Sequence, residues 1–271
     1  MALEVGMLGA IAGDIIGSAY EFDSIKHKDF PLFTDRSAFT DDTILSVAVA
    51  EVILKGGSYG EAIKRYAQAY PNPVGSYGAR FQQWAASSTM EPYNSWGNGS
   101  AMRVSAVGFA YDEMARVLAV AKQTAEVTHN HPEGIKGAQA TAAAILLAKK
   151  GQGKDQIKAF VESTFGYDLG RSLKEIRPTY RFNESCQQTV PESIIAFLES
   201  TDYEDAIRNA ISLGGDTDTM GSITGGIAEA YYGGVPDDIV QETLSRLDEP
   251  LKKVTLRFCD QFTQPYPLFA A

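Results

Sequence analysis

The sequence predicts an all-α fold, and three observations carry that expectation. Apolar and small residues recur at helical spacing along nearly the whole chain. Strand-type alternation is scarce, and no strand alternates with the helical segments to suggest a parallel sheet. Cap-forming residues stand where the helical segments begin and end.

The first helix is expected from Leu8 to Tyr20. Gly9, Gly13 and Gly17 share one face of it, where missing side chains let another backbone come close. That many glycines weaken a helix intrinsically, so packing must compensate. The second helix, Asp41 to Leu54, is apolar nearly all round through Ile44, Leu45, Val47, Val49, Val52 and Ile53, and reads as buried. Ser58 with Glu61 fits a capping box opening a helix with Ile63, Tyr66 and Ala67. Asn98, Gly99 and Ser100 precede a helix reaching about Gly108, and Asp112 is the expected cap of one running to about Val127. Pro132 suits the first turn of a helix that ends by Gly151 and carries Ala138, Ala140, Ala142, Ala143 and Ala144. Further helices are expected at 154–165, 191–199, 203–213, 218–232, 236–246 and 249–262.

The irregular stretches are 22–39, 71–78, 88–100 and 166–189, and loops of that length in a compact helical domain are often functional. None has a linker composition, and there is no repeat or low-complexity tract, so one domain over residues 1–271 is expected.

Composition excludes several classes. At 271 residues with 44% hydrophobic and 21% charged side chains, the chain reads as a soluble globule. No apolar run reaches the ~18 residues a membrane helix needs, and the start has no basic region of a secretory signal. Two cysteines, Cys186 and Cys259, make no disulfide framework and point to a reduced cytoplasm. The net charge of −10 repels phosphate backbones and disfavours nucleic acid as a partner. A monomer is the favoured assembly.

Two acidic clusters carry the chemistry. The first is Phe39-Thr40-Asp41-Asp42-Thr43 and the second Gly214-Gly215-Asp216-Thr217-Asp218-Thr219, each at an expected helix N-terminus, where free N–H groups favour negative charge. Simple capping accounts for one side-chain oxygen per helix. Each cluster offers two carboxylates and at least one hydroxyl at the end of an apolar or small-residue helix, where unpaired charge is costly. A shared cation removes that cost. Aspartates and threonines are hard oxygen donors, and neither cluster holds Cys or His, which favours two Mg2+ or Mn2+ ions over zinc.

At these residues the chain resembles the ADP-ribosylglycohydrolase family, the DraG-type and ADP-ribosyl-acceptor hydrolases. The likeness runs in order along most of the chain. Gly9-Ala10-Ile11-Ala12-Gly13-Asp14 with Gly17 is similar to the family's opening helix, and Thr40-Asp41-Asp42 to its first metal motif. Gly97-Asn98-Gly99-Ser100-Ala101-Met102-Arg103 is similar to its central Asn-Gly motif, Thr128-His129 to its Thr-His segment, and Gly214 to Thr219 to its second metal motif.

The resemblance implies an orthogonal helical bundle of the ADP-ribosylglycohydrolase type with a binuclear Mg2+ or Mn2+ centre. Its ligands would be Thr40, Asp41, Asp42, Asp216, Asp218 and Thr219; Thr217 matches no ligand, and Asp14 is expected as a cap or support. The activity implied is release of ADP-ribose from a protein side chain or small-molecule conjugate, with Glu21, Asp41 and Asp216 in catalytic roles. Glu21 would protonate the leaving acceptor or position water. Asn98, Gly99 and Ser100 would line the diphosphate groove, with His129 a ribose or phosphate contact and His131 an exposed position before Pro132. Tyr77, Phe81, Trp84, Trp96 and Tyr180 are the candidates to stack on adenine.

Two other readings compete. Helical prenyl-diphosphate enzymes also use aspartates and Mg2+, but their further acidic partner is missing, since Leu45 and Ser46 follow the first cluster. A non-catalytic ADP-ribose-binding protein is the other, and the retained acidic clusters and Glu21 argue against it.

Overall fold

The computed structural model describes residues 6–262 and is all-α: fifteen helices and no β-strand occur among them, with isolated bridges only at Thr40–Val74 and Gly97–Ser185. The first four helices are α1 (Leu8–Ser18), α2 (Asp41–Lys55), α3 (Tyr59–Ala69) and α4 (Ala79–Ala86). Two short helices follow, α5 (Gly99–Met102) and α6 (Ser105–Ala110), then α7 (Met114–Glu126), α8 (Pro132–Lys149) and α9 (Lys154–Phe165). The last six are α10 (Leu173–Ile176), α11 (Cys186–Leu198), α12 (Tyr203–Ile211), α13 (Thr217–Tyr232), α14 (Asp237–Arg246) and α15 (Glu249–Phe262).

The pair α1 and α13 forms the centre of the bundle, and both helices are buried along nearly their whole length. They run antiparallel with glycine against glycine. A Cβ added at Gly13 would overlap the Gly221 carbonyl, one at Gly9 would lie 2.5 Å from the Gly225 oxygen, and one at Gly17 would overlap Thr217. The Thr217 hydroxyl donates to the Gly17 carbonyl at 2.8 Å, tying the start of α13 to the end of α1. Helix α1 has no side-chain cap of its own. Glu229, one turn from the end of α13, supplies it from across the interface, accepting from the Gly6 and Gly9 amides at 2.9 and 2.8 Å.

This backbone contact sets the position of the acidic clusters. Gly13→Ala is expected to cost about 1–3 kcal/mol, as overpacking of a filled core does. The loss should appear as a fall in melting temperature of roughly 2–4 °C per kcal/mol. Gly153→Ala, where an added Cβ meets only the Gln156 Oε1 at 3.6 Å, is the control expected to change little.

Several expected boundaries move for identifiable reasons. The helix expected after Ser100 and reaching about Gly108 is two short helices, the first already begun at Gly99, broken at Arg103 and Val104. Asp112 does not cap α7; its carboxylate pairs with Lys149 at 2.9 Å, and Glu113 holds the N-cap position without a side-chain bond. The segment expected at 191–199 begins five residues earlier, at Cys186, because Pro191 sits inside α11. There the Ser193 hydroxyl bonds back to the Thr189 carbonyl at 2.8 Å. Ser58 accepts from the Glu61 amide at 3.3 Å as expected. Helices α4 and α10 were not anticipated; each is short, and α10 lies within the stretch 166–189 read as irregular.

Candidate metal centre and ligand cavity

Thr40 is the N-cap of α2 and Asp216 that of α13, so both clusters lie where helix N-termini were expected. The turn before α13 depends on Gly214 and Gly215, whose φ angles of 67° and 91° put both in the left-handed region. An added Cβ at Gly215 would also lie 2.8 Å from the Tyr180 ring.

Capping does not use up the carboxylates. On α2 the cap bond is made by the Thr40 hydroxyl, which accepts from the Asp42 amide at 3.2 Å. On α13 the Asp216 side chain makes no cap bond, and its Oδ2 instead accepts from the Asn98 amide nitrogen at 2.7 Å. Asn98 is held in turn by Thr189 on α11, 3.1 Å away. Asp218 Oδ1 accepts from the Thr219 amide at 2.9 Å.

The clusters meet. The Thr219 hydroxyl donates to Asp42 Oδ1 at 3.3 Å, across 177 residues of sequence. Carboxylate oxygens of Glu21, Asp216 and Asp218 all lie within 4.8 Å of one another. Asp41, Asp42, Asp216, Asp218, Thr219 and Glu21 share the wall of a cavity of about 600 Å3, within the usual range for small-molecule sites.

Asp14 is the support it was expected to be. From α1 it caps α2 across the interface, accepting from the Thr40 and Thr43 amides at 3.1 Å each, from the Thr40 hydroxyl at 2.7 Å and from the Thr43 hydroxyl.

The electrostatics show an excess of buried negative charge. Burial, then the charge of Asp218, pushes Asp41, Asp42 and Asp216 well above the ordinary carboxylate range. The same two causes raise Asp14 to about 7 and Glu21 to about 8. Asp42 Oδ2 and Glu21 Oε2 are buried without a hydrogen-bond partner. Crowded, acceptor-only oxygens with unmet demand are the donor set of a hard divalent cation, so these residues fit Mg2+ or Mn2+. A cysteine- or histidine-preferring metal has no ligand among them.

The other expected site residues divide. Asn98, Gly99 and His129 line the cavity, on the wall formed by the start of α5 and the end of α7. Thr40 and Ser100 are fully buried behind it, and the Ser100 hydroxyl donates to the Gly134 carbonyl at 2.7 Å. Tyr77 and Phe81 line the cavity, whereas Trp84 packs in the core beneath Lys64. Tyr180 donates to the Gln188 carbonyl at 2.7 Å, and the exposed Trp96 meets His131 edge-on. His131 is no idle surface position: it is half-buried, and its Nδ1 accepts from the Glu133 amide at 3.1 Å as the N-cap of α8.

Sequence reasoning missed Arg80, Tyr93, Arg103 and Phe182 on the cavity wall. Only Arg103 had a signal, as the last residue of the Asn-Gly motif. It also missed Gly75, where an added Cβ would lie 3.0 Å from Glu21 Oε2.

A family model described as ADP-ribosylglycohydrolase matches residues 5–267. ADP-ribosylhydrolase ARH3 of Homo sapiens is 27% identical over 307 residues, covering 84% of this chain and 84% of that one. The ADP-ribosylarginine hydrolase Tri1 of Pseudomonas putida (strain GB-1) is 24% identical over 272 residues, covering 87% of this chain and 72% of that one. A solved structure, an ADP-ribosylglycohydrolase-related protein complex, is alike in fold, with a TM-score of 0.70 at 24% identity over 95% of this chain and 98% of that one. No described helix is long and apolar enough to cross a membrane.

Proposed function

This chain belongs to the ADP-ribosylglycohydrolase family, and from that premise we propose that it hydrolyses the glycosidic bond between ADP-ribose and a modified acceptor at a centre of two Mg2+ or Mn2+ ions. One observation carries the reading. Two aspartate pairs 174 to 177 residues apart converge on one cavity, with Asp42 Oδ2 and Glu21 Oε2 buried there and unpartnered.

Asp41, Asp42, Asp216 and Asp218, with Thr40 and Thr219, hold the cations. Bound there, the ions supply Lewis acidity, counter-charge and a lowered pKa for adjacent water. Asn98 fixes the rotamer of Asp216 through its amide. Asp14 accepts the hydrogen bond of the Thr40 hydroxyl at 2.7 Å, which fixes that oxygen beside Asp42, whose amide donates to it at 3.2 Å.

Glu21 carries the proton for the departing acceptor. Burial, the largest cause of its raised pKa, favours its protonated form, which a general acid requires. The aspartates also offset positive charge as the anomeric carbon takes on oxocarbenium character. Asn98, Gly99 and His129 take the diphosphate side of the ligand, where Arg80 and Arg103 add positive charge to the cavity wall.

The acceptor is the variable part. Tri1 is named for ADP-ribosylarginine and the name of ARH3 states no linkage, so the relatives' names fix no single acceptor. Arginine-, serine- and acetyl-linked ADP-ribose, each assayed with Mg2+, with Mn2+ and with chelator, form the test. Metal-dependent ADP-ribose release from at least one conjugate is expected. Release that chelator leaves untouched would remove the metal centre from the reaction. No release from any conjugate, together with tight ADP-ribose binding, would make this a binding protein.

A further inference from the structure

His129 is buried in the cavity wall and its two ring nitrogens meet different surroundings. Nδ1 lies 2.7 Å from the Thr128 hydroxyl. The Nε2 edge faces the glycine segment of the wall, close enough that an added Cβ at Gly99 would lie 3.1 Å from it and one at Gly97 3.4 Å. The absent side chains at 97 and 99 therefore make room for this imidazole.

Behind Thr128 stands Arg103. It is fully buried and forms no salt bridge among the described residues. Its Nη2 donates to the Thr124 carbonyl at 2.9 Å and to the Thr128 hydroxyl oxygen at 2.8 Å. Guanidinium donates and never accepts, so one lone pair of that oxygen is committed to it. The oxygen keeps its proton and one further lone pair, and its remaining partners are His129 Nδ1 at 2.7 Å and the Tyr93 hydroxyl.

We propose that Arg103, acting through Thr128, is a positioning residue that locks His129 as the neutral tautomer with its proton on Nε2, so that the cavity wall beside Gly97 and Gly99 presents an N–H donor to the ligand. The chain runs in one direction, from Arg103 N–H to Thr128 O–H to His129 Nδ1. Each bond polarises the next, and the buried cation at its head favours this sense over its reverse. Burial and the charges of Arg103 and Arg80 hold the ring well below its usual range, which keeps it neutral. A neutral ring has one N–H, and which nitrogen carries it is decided by the partner of the other. The oxygen that receives this N–H, phosphoryl or hydroxyl, belongs to ADP-ribose if the proposed function holds; the tautomer itself does not depend on that reading.

The test is direct. In 15N-labelled protein, long-range 1H–15N correlation of His129 is expected to show an unprotonated Nδ1 and a protonated Nε2 near neutral pH. Thr128→Val keeps the volume and removes the hydroxyl, and should mix or reverse the two resonances. Thr128→Ser should restore the wild-type pattern. For a hydrolysed conjugate, Thr128→Val should raise KM about tenfold, the weight of one charge-assisted hydrogen bond, with a smaller change in kcat. Arg103→Met should mimic Thr128→Val if it folds, and the threonine pair decides the matter if it does not.

A wild-type His129 with its proton on Nδ1, or a Thr128→Val spectrum identical to wild type, would overturn the proposal even in an active hydrolase. The expected spectra in a protein that neither binds nor hydrolyses any ADP-ribose conjugate would uphold the lock and overturn the proposed function instead.

Discussion

Asp42→Asn is expected to abolish turnover and weaken divalent-metal binding, yet to make the metal-free protein more stable at pH 8. The two effects share one cause. Asp42 Oδ1 accepts from the Thr219 hydroxyl, and its Oδ2 is buried and unpartnered. In the proposed centre, that oxygen is a cation ligand. Loss of an outer-sphere partner already costs about 10–100-fold in metal affinity or activity, and loss of a ligand should exceed that. Without a cation the same carboxylate is a liability, since burial and Asp218 raise its pKa well above normal. An amide in its place removes one buried charge and offers an N–H to the surrounding acids. Isothermal titration with Mn2+, turnover of a conjugate and thermal unfolding in chelator make the three measurements. Retained metal affinity with wild-type turnover would show that Asp42 is no ligand. A metal-free variant less stable than wild type at pH 8 would show that its charge does not strain the apo centre.

Much of this centre was legible in the sequence because its parts are local. Thr40-Asp41-Asp42 and Asp216-Thr217-Asp218-Thr219 occupy helix N-termini that capping chemistry and apolar runs reveal. Gly9, Gly13 and Gly17 announced a close backbone approach, although their partners Gly221 and Gly225 could be paired with them only in three dimensions. The rest depended on contacts that no spacing encodes. Asp14 caps a helix that begins 27 residues later, Glu229 caps one more than 200 residues earlier, and Asp112 is drawn from its cap by Lys149. The helix expected from 191 begins earlier, with Pro191 in its interior, because the chain before it, fixed by bonds between the segments 96–98 and 184–186, already enters the helix. Arg103 looked like the polar end of a motif and is the fully buried head of a hydrogen-bonded chain. Sequence order shows which side chains are chemically able, whereas the fold decides which oxygen each of them faces.

Metal binding should raise the melting temperature, and by more at pH 8 than at pH 5. An acid whose folded-state pKa lies above its unfolded value favours folding most below the unfolded value, and loses that advantage as pH climbs through the folded one. Asp14 rises from 3.8 to about 7 and Glu21 from 4.5 to about 8, so the metal-free protein should lose stability across that window. Cations reverse the sign, because they bind the deprotonated oxygens and their affinity grows as protons leave. At a hundred times its Kd an ion adds about 2.7 kcal/mol, or roughly 5–10 °C at 2–4 °C per kcal/mol for a domain of this size. Thermal unfolding with Mn2+ and with chelator, at pH 5 and at pH 8, measures both curves. The metal-free curve should fall with pH while the metal-bound curve stays nearly level, so the gap widens. A gap that is constant or narrows toward pH 8 would mean that the raised carboxylates are not the groups the cation meets. A gap that survives unchanged in Asp42→Asn/Asp216→Asn would place the metal somewhere other than between the two helix N-termini.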